Sequence, residues 1–466
     1  MQEPIQHTDE KADDQKDAAG QYGLDDEIVQ NIQDAIEDGK TEYIKATLEE
    51  WHSADIADLI EQLRPKLRSS FLDIMEGRID PDVYSDLDEN VRDELVEEME
   101  PAEIAAVISE LEVDDAVDVL EDLEEEERQE VLSAIPVEDR AAIEEGLSYD
   151  EDSAGRLMQR DLIAVPEYWS IGQTIDFLRD TEDLPDEFYE IFVVDPRHRP
   201  VGTIPLNRAM RAKRDVAVRD IMDDEQKLIP VDMDQEEVAY LFQQYRLASA
   251  AVINPGGMLI GVITVDDIVD VISEEAEEDL LLLAGVSEDD LFETALDTAR
   301  TRFPWLLINL FTAMAASIAI SMFDATLEAI IALAVLMPIA ASMGGNAGTQ
   351  TLTVAVRALA TKELTPANMS RILSKEMIVA GLNGSFFAVV IGCIAWGWFG
   401  NPLIGLVIAM AMVVNILVAG TVGMLVPYTL DKLNIDPAVA SSVFVTTTTD
   451  IVGFVAFLGL ATLVLI

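Results

Sequence analysis

Apolar positions along the chain fall into three regimes. Between residues 24 and 147 they recur at three- and four-residue spacing, as in "IADLIEQL", "VRDELVEEM", "IAAVISEL", "AVDVLEDL" and "RQEVLSAI". That spacing draws one apolar stripe on each of a series of short helices. Several of these segments return roughly every dozen residues, as in a superhelix whose units bury their faces on one another. From 148 to 273 the pattern changes to short apolar runs between turns, the sign of strands alternating with helices. Beyond residue 302 come five long apolar stretches, near 303–323, 327–360, 374–399, 402–430 and 437–466. Most are long enough to cross about 30 Å of hydrocarbon. The expected fold is therefore multidomain: an all-α superhelical domain (24–147), an α/β module (148–273) and an α-helical transmembrane domain with five spans (303–466).

The α/β region is duplicated. "IFVVDPRHRPVGTIPLNRAM" (191–210) aligns with "AAVINPGGMLIGVITVDDIV" (250–269) at a constant offset of 59 residues. Each copy resembles a cystathionine-β-synthase (CBS) motif, the two (148–212 and 213–273) forming one regulatory module. In CBS motifs that hold adenine nucleotides, a Ser or Thr and an Asp after the last strand bind phosphate and ribose. The resemblance therefore points to Thr264 and Asp267 in the second copy. The first copy has Pro205 and Arg208 at those places, where neither side chain does that job, and it reads as a structural repeat. Between module and membrane, four consecutive leucines and the spacing of Leu291, Phe292, Ala295 and Leu296 predict a long connecting helix over 274–302.

Charge separates the two halves further. The formal charge is −59, yet residues 299–466 hold seven acidic and seven basic side chains, so the excess lies in 1–298. A surface so acidic repels nucleic acid. A metal-sensing surface needs on the order of ten carboxylates, so most of the charge is assigned to a solvated surface of the kind found in a halophilic prokaryote. The single cysteine, Cys393, lies in an apolar stretch and gives no disulfide framework. Residues 1–23 are polar and acidic, and read as a disordered tail rather than a signal peptide.

Basic residues precede the first apolar stretch (Arg300, Arg302), separate the second from the third (Arg357, Lys362, Arg371, Lys375) and precede the fifth (Lys432). The other two loops have none. The positive-inside rule then gives five crossings of a plasma membrane, with the N-terminal regions cytoplasmic and the C-terminus outside. The second stretch is too long for one crossing and contains "SMGGNAGTQ". It is expected to break there and expose backbone carbonyls to a small cation. Close helix packing is the simpler alternative, but the amides of Asn346 and Gln350 need hydrogen-bond partners. In the fifth stretch, Asp450 is a carboxylate deep in apolar sequence with no basic residue to pair with, and Thr446 to Thr449 supply hydroxyl oxygens. By default such a group marks an ion path. Asp436, 14 residues earlier, lies about 21 Å away along a helix. It marks the cytosolic mouth, and the separation excludes the shared-proton dyad of an intramembrane aspartyl protease. Oxygen ligands suit a hard cation, and a sparse site suits a largely hydrated Mg²⁺.

"RFPWLLINLF", "MPIAASMGGNAGTQTLTVAVRALA" and "DPAVASSVFVTTTTDIVG" together resemble the MgtE magnesium channel/transporter family, and the order of domains matches as well. The resemblance implies a non-enzymatic homodimer with a cation pore on its two-fold axis, closed when cytosolic Mg²⁺ is high. It implies Asp450 as the central carboxylate, with Thr446 and the Gly345–Asn346–Gly348 segment beside it, and Asp436 at the inner mouth. It further implies sensor ligands at Asp114 and Asp118 on the helical domain, and at Asp267, Asp270, Glu275, Glu278 and Asp279 where the second CBS motif meets the connecting helix. Arg246 stands where members tend to carry an acidic residue, and Val443 where Pro is common. Rival readings are a membrane-anchored cation sensor that does not conduct and a transporter of other divalent cations such as Co²⁺.

Overall fold

The computed structural model describes residues 24, 26–49, 51–75, 79–96, 99–121, 123–181, 184–185, 188–286, 295–433 and 435–466. The tail expected over 1–23 lies outside them, as do residues 287–294 of the connecting segment. The chain divides into two compact units, Met1–Val271 and Ile272–Ile466.

The first unit opens with short helices: α1 (Asp26–Glu37), α2 (Thr41–Leu48), α3 (Ser53–Gln62), α4 (Pro65–Met75), α5 (Asp82–Ser85), α6 (Glu89–Val96), α7 (Pro101–Ile108), α8 (Val113–Glu121), α9 (Glu125–Ala134) and α10 (Val137–Gly146). The last five start at 89, 101, 113, 125 and 137, each twelve residues after the one before. That is the period heard in the sequence, one helix and one turn per unit. Their apolar stripes meet in two cores, one around Ile44, Leu59 and Phe71, the other around Ile108, Leu120 and Ile143. Start signals are local: α7 has Pro101 in its first turn, and Glu103 accepts from the Glu100 N–H at 3.1 Å.

The duplication follows. β1 (Ala164–Pro166), α11 (Ile171–Asp180), β2 (Glu190–Val194), β3 (Pro200–Pro205) and α12 (Leu206–Arg211) form the first copy. β4 (Leu228–Pro230), α13 (Gln235–Tyr245), β5 (Ser249–Ile253), β6 (Leu259–Thr264) and α14 (Val265–Ala284) form the second. Each sheet pairs its first two strands parallel and its last two antiparallel. Register repeats to the residue: Glu190 faces Pro205 as Ser249 faces Thr264, and the irregularity at Val193/Val194 recurs at Val252/Ile253. The 59-residue offset seen in the sequence is a structural offset as well.

The second unit holds five helices of 27 to 31 residues: α15 (Ala295–Ser321), α17 (Ala332–Ala360), α18 (Met369–Phe399), α19 (Pro402–Asp431) and α20 (Pro437–Leu465), with a short α16 (Asp324–Ala329) after the first. Among the described residues four are long and apolar enough to cross a membrane: Thr298–Ser321, Met369–Phe399, Pro402–Asp431 and Pro437–Leu465. α17 has the length, but its glycines and amides make it less apolar. The connecting segment differs from the expectation of one helix over 274–302. α14 already begins at Val265 and stops at Ala284, where Gly285 takes φ +74° and the Trp305 indole fills the place of its missing Cβ. A left-handed glycine is a common helix stop.

Candidate functional site

The second apolar stretch does not break. α17 runs without interruption from Ala332 to Ala360, so "SMGGNAGTQ" is helical and its backbone carbonyls stay within the helix ladder. The reason is packing. Where backbone groups have no water to turn to, an intact helix satisfies them internally, and the glycines serve as points of close approach. A Cβ at Gly348 would lie 2.6 Å from Val445 Cγ1 of α20, and one at Gly423 of α19 would lie 2.7 Å from the Gly348 carbonyl oxygen. Gly344 is likewise occupied by a neighbour, the Asn415 carboxamide. The glycine segment therefore has two faces. Gly344 and Gly348 are buried against α19 and α20; Gly345 has nothing within 4 Å of a built Cβ, and Asn346 is exposed with Nδ2 donating to Ser342 Oγ at 3.4 Å.

Asp436 caps the start of α20, its Oδ1 accepting from the Ala438 N–H at 2.7 Å. Asp450 is half-buried, 14 residues on in the same unbroken helix. The four threonines before it are not equivalent. Thr447 donates to the Val443 carbonyl at 2.6 Å and the buried Thr449 to Val445 at 2.9 Å, so both hydroxyls are engaged by their own helix. Thr446 is exposed and one turn before Asp450, on the same side of α20. Leu282 and Leu283 of α14 pack on Leu352, Val356, Ala438 and Val445. Burial first, and then the Asp436 carboxylate, push the Asp279 carboxyl above its ordinary range. Glu275 is half-buried and Glu278 exposed on the same helix.

In the first unit, Asp114 and Asp267 are brought within electrostatic reach across 153 positions of sequence. Burial raises the Asp114 carboxyl well above its usual value, with Asp267 the next cause, and Asp114 Oδ1 is buried with no hydrogen-bond partner. Asp267 opens α14, accepting from Thr264 Oγ1 at 2.8 Å and Gln159 Nε2 at 3.4 Å, and its pKa is pushed up to about 6, chiefly by burial. Two residues not foreseen join them: Glu112 and Asp115 both rise to about 7, through burial and then Asp267. Asp118 stands apart. It is exposed and held by the buried Arg92, although its charge also helps raise the Asp115 carboxyl. Its helical spacing from Asp114 was legible, but an arginine 26 residues away was not. Asp270 is exposed and faces Asp86. Arg246, at a place expected to be acidic, caps α13 in the left-handed conformation. Among the described residues no three His, Cys, Asp or Glu side chains converge as a ready metal cluster.

Comparison with known proteins follows the same division. Residues 337–460 match the model of a family described as MgtE, divalent cation transporter, residues 51–152 that of the MgtE intracellular N domain, and residues 218–274 that of the CBS domain. The chain is similar to a protein named magnesium transporter MgtE from Thermus thermophilus, 36% identical over 68% of this chain and 71% of the relative. It resembles the proteins of the same name from Enterococcus faecalis, at 33%, and Bacillus subtilis, at 31%, over 70% of each. The chain is also similar to a crystal structure of the cytosolic domain of the Mg²⁺ channel MgtE in complex with ATP, 29% identical, covering 52% of this chain and 99% of that one, with a TM-score of 0.49. With the glycine segment and Asp450 inside one matched region and three relatives above 30% identity, the chain belongs to the MgtE family of magnesium transporters.

Proposed function

We propose that the protein imports Mg²⁺ across the plasma membrane as a homodimer, along a path lined by Asp450, and closes when cytosolic Mg²⁺ rises. The observation that carries the reading is Asp450 itself, a carboxylate midway along an apolar helix that contains no basic residue. A charge in hydrocarbon costs several kcal/mol and is kept where an ion offsets it. Thr446 and the open Gly345–Asn346 face of α17 add oxygens for the water shell of a hard cation, and Mg²⁺ surrenders that shell reluctantly. Asp436 stands at the inner mouth.

Closure is assigned to the carboxylates. Asp114, with its unpartnered buried oxygen, and Asp267 repel when both are ionised, and a divalent cation between them supplies the missing partner. Asp270, Glu275, Glu278 and Asp279, along α14, are further candidates for that role, and Asp279 and Asp436 form a second repelling pair. Asp118, held by Arg92, contributes only when that ion pair opens. The hydroxyl of Thr264 and the carboxylate of Asp267, 2.8 Å apart at the turn into α14, are the place for an adenine nucleotide on the second CBS copy. Absence of enzymatic activity, an outward C-terminus and a halophilic cytosol complete the reading.

The test is ion flux into liposomes that contain only this protein. The parent conducts Mg²⁺ and falls silent as Mg²⁺ on the cytosolic face rises; Asp450→Ala folds as a dimer and conducts none. Normal flux through Asp450→Ala removes the path assignment. A silent parent favours the non-conducting sensor, and equal Co²⁺ flux widens the cargo to divalent cations generally.

A further inference from the structure

Asn415 lies in the middle of α19 and is fully buried, with 0% of its surface exposed. Its Nδ2 donates to the Ala340 carbonyl of α17 at 2.9 Å, while its equally buried Oδ1 has no hydrogen-bond partner. Two adjoining helices omit a side chain to admit this amide. A Cβ at Gly344 of α17 would collide with it, and one at Gly453 of α20 would lie 2.7 Å from its nitrogen. Both glycines flank the path residues: Gly344 immediately precedes Gly345, and Gly453 is three positions beyond Asp450. One carboxamide is therefore seated between the two helices that carry the path.

Packing alone does not account for an amide here. An apolar side chain of similar size fills the same gap and leaves no acceptor unmet, whereas Oδ1 sits buried without a donor. What an apolar residue lacks is direction. A 2.9 Å hydrogen bond to a backbone carbonyl fixes both the depth and the rotation of α17 against α19, which contacts between small residues leave free to slide.

We propose that Asn415 is a positioning residue of the ion path: by keying α17 to α19 in the gap that Gly453 opens on α20, it holds the Gly345–Asn346 face and the Asp450 carboxylate at the spacing that accepts a hydrated divalent cation. It touches no ion itself. The proposal rests on the reading that Asp450 lines the path.

The experiment measures Mg²⁺ and Ca²⁺ flux into liposomes containing the full chain, for the parent, Asn415→Leu, Asn415→Ala with Gly344→Ala, and Asp450→Ala. Thermal melting of each purified protein reports folding. Asn415→Leu is expected to melt at or above the parent's temperature, yet to lose about tenfold in Mg²⁺ flux. Its Ca²⁺:Mg²⁺ flux ratio is expected to rise about threefold, a change that general loosening of the bundle does not produce. The double variant restores volume without the hydrogen bond and stays impaired. Asn415→Leu conducting within about twofold of the parent at the parent's ion ratio overturns the positioning role, as does parental flux in the double variant. If Asn415→Leu does not fold, the double variant decides alone. Parental flux through Asp450→Ala is a separate failure, of the path reading, and takes the positioning role with it; a silent Asp450→Ala beside an unimpaired Asn415→Leu sinks the positioning role only.

Discussion

Single carboxyls of the first unit show how far burial has moved them. Glu112 and Asp115 are pushed up to about 7 and Asp267 to about 6, each first by burial, and Asp114 is raised well above its usual value by the same cause. For Glu112, Asp114 and Asp115 the next cause is Asp267; Asp266, Asp82 and Asp118 also face the group, and Asp86 faces Asp270. The sign is unambiguous. A carboxyl whose folded pKa exceeds its unfolded value near 4 binds more protons folded than unfolded, so stability falls as pH rises between the two values and levels off above the folded one. Without divalent cations, the melting temperature of the cytosolic transition should drop by on the order of 5 °C between pH 5.5 and 8. Millimolar Mg²⁺ should recover more of it at pH 8 than at 5.5, since it replaces protons already bound at the lower value. Differential scanning calorimetry of the full chain checks this, and a melting temperature that rises with pH contradicts the forced proximity of these groups. The sequence marked Asp114 and Asp267, but the pair Glu112 and Asp115 was hidden among 89 acidic residues, because burial is a property of the fold and not of the string.

Between helices, glycine is the deciding residue, and neighbouring glycines of α17 decide opposite things. A Cβ at Gly348 would meet Val445 at a distance no real Cβ tolerates, and one at Gly345 would meet open space. Gly348→Ala therefore overpacks the α17–α20 seam and should cost roughly 1–3 kcal/mol. Gly345→Ala meets no neighbour and should be neutral or gain up to about 1 kcal/mol from helix propensity. Thermal melting of the two purified variants separates them, and equal effects would contradict the two-faced reading of the segment. In the sequence the segment invited a broken helix, because glycines and amides in an apolar run fit both unwound backbone and tight packing. Only the partners on α19 and α20 choose between those alternatives. The repeat of α6 to α10 was legible for the opposite reason: each unit's apolar stripe and turn are local, so the twelve-residue period survives in one dimension.

For the whole molecule the dominant fact is charge, −59 in all and the whole of it before residue 299. Self-repulsion on that scale opposes compaction and is screened over about 10 Å at 0.1 M salt and about 3 Å at 1 M. In dilute buffer the full chain in detergent should show an early loss of ellipticity, from the first unit only, that moves upward by roughly 10 °C in molar KCl. The late transition of the apolar helices, with seven charges of each sign in that part of the chain, should stay within a few degrees. Circular dichroism melts in the two buffers check both. An early transition indifferent to salt would mean that the acidic surface is neutralised by structure rather than by solvent.

The sequence by itself determined the modular order, the twelve-residue helical repeat, the 59-residue duplication and the place of Asp450, because each is written in local spacing or in a charge where apolar residues should stand. Tertiary structure alone decided that α17 stays whole, that Thr447 and Thr449 turn to their own backbone while Thr446 does not, that Arg92 takes Asp118, and that Asn415 is seated between Gly344 and Gly453. These depend on which distant residue fills a given space. Close packing and hydrogen-bond partnership are relations between elements, and a single strand of sequence records only one side of each.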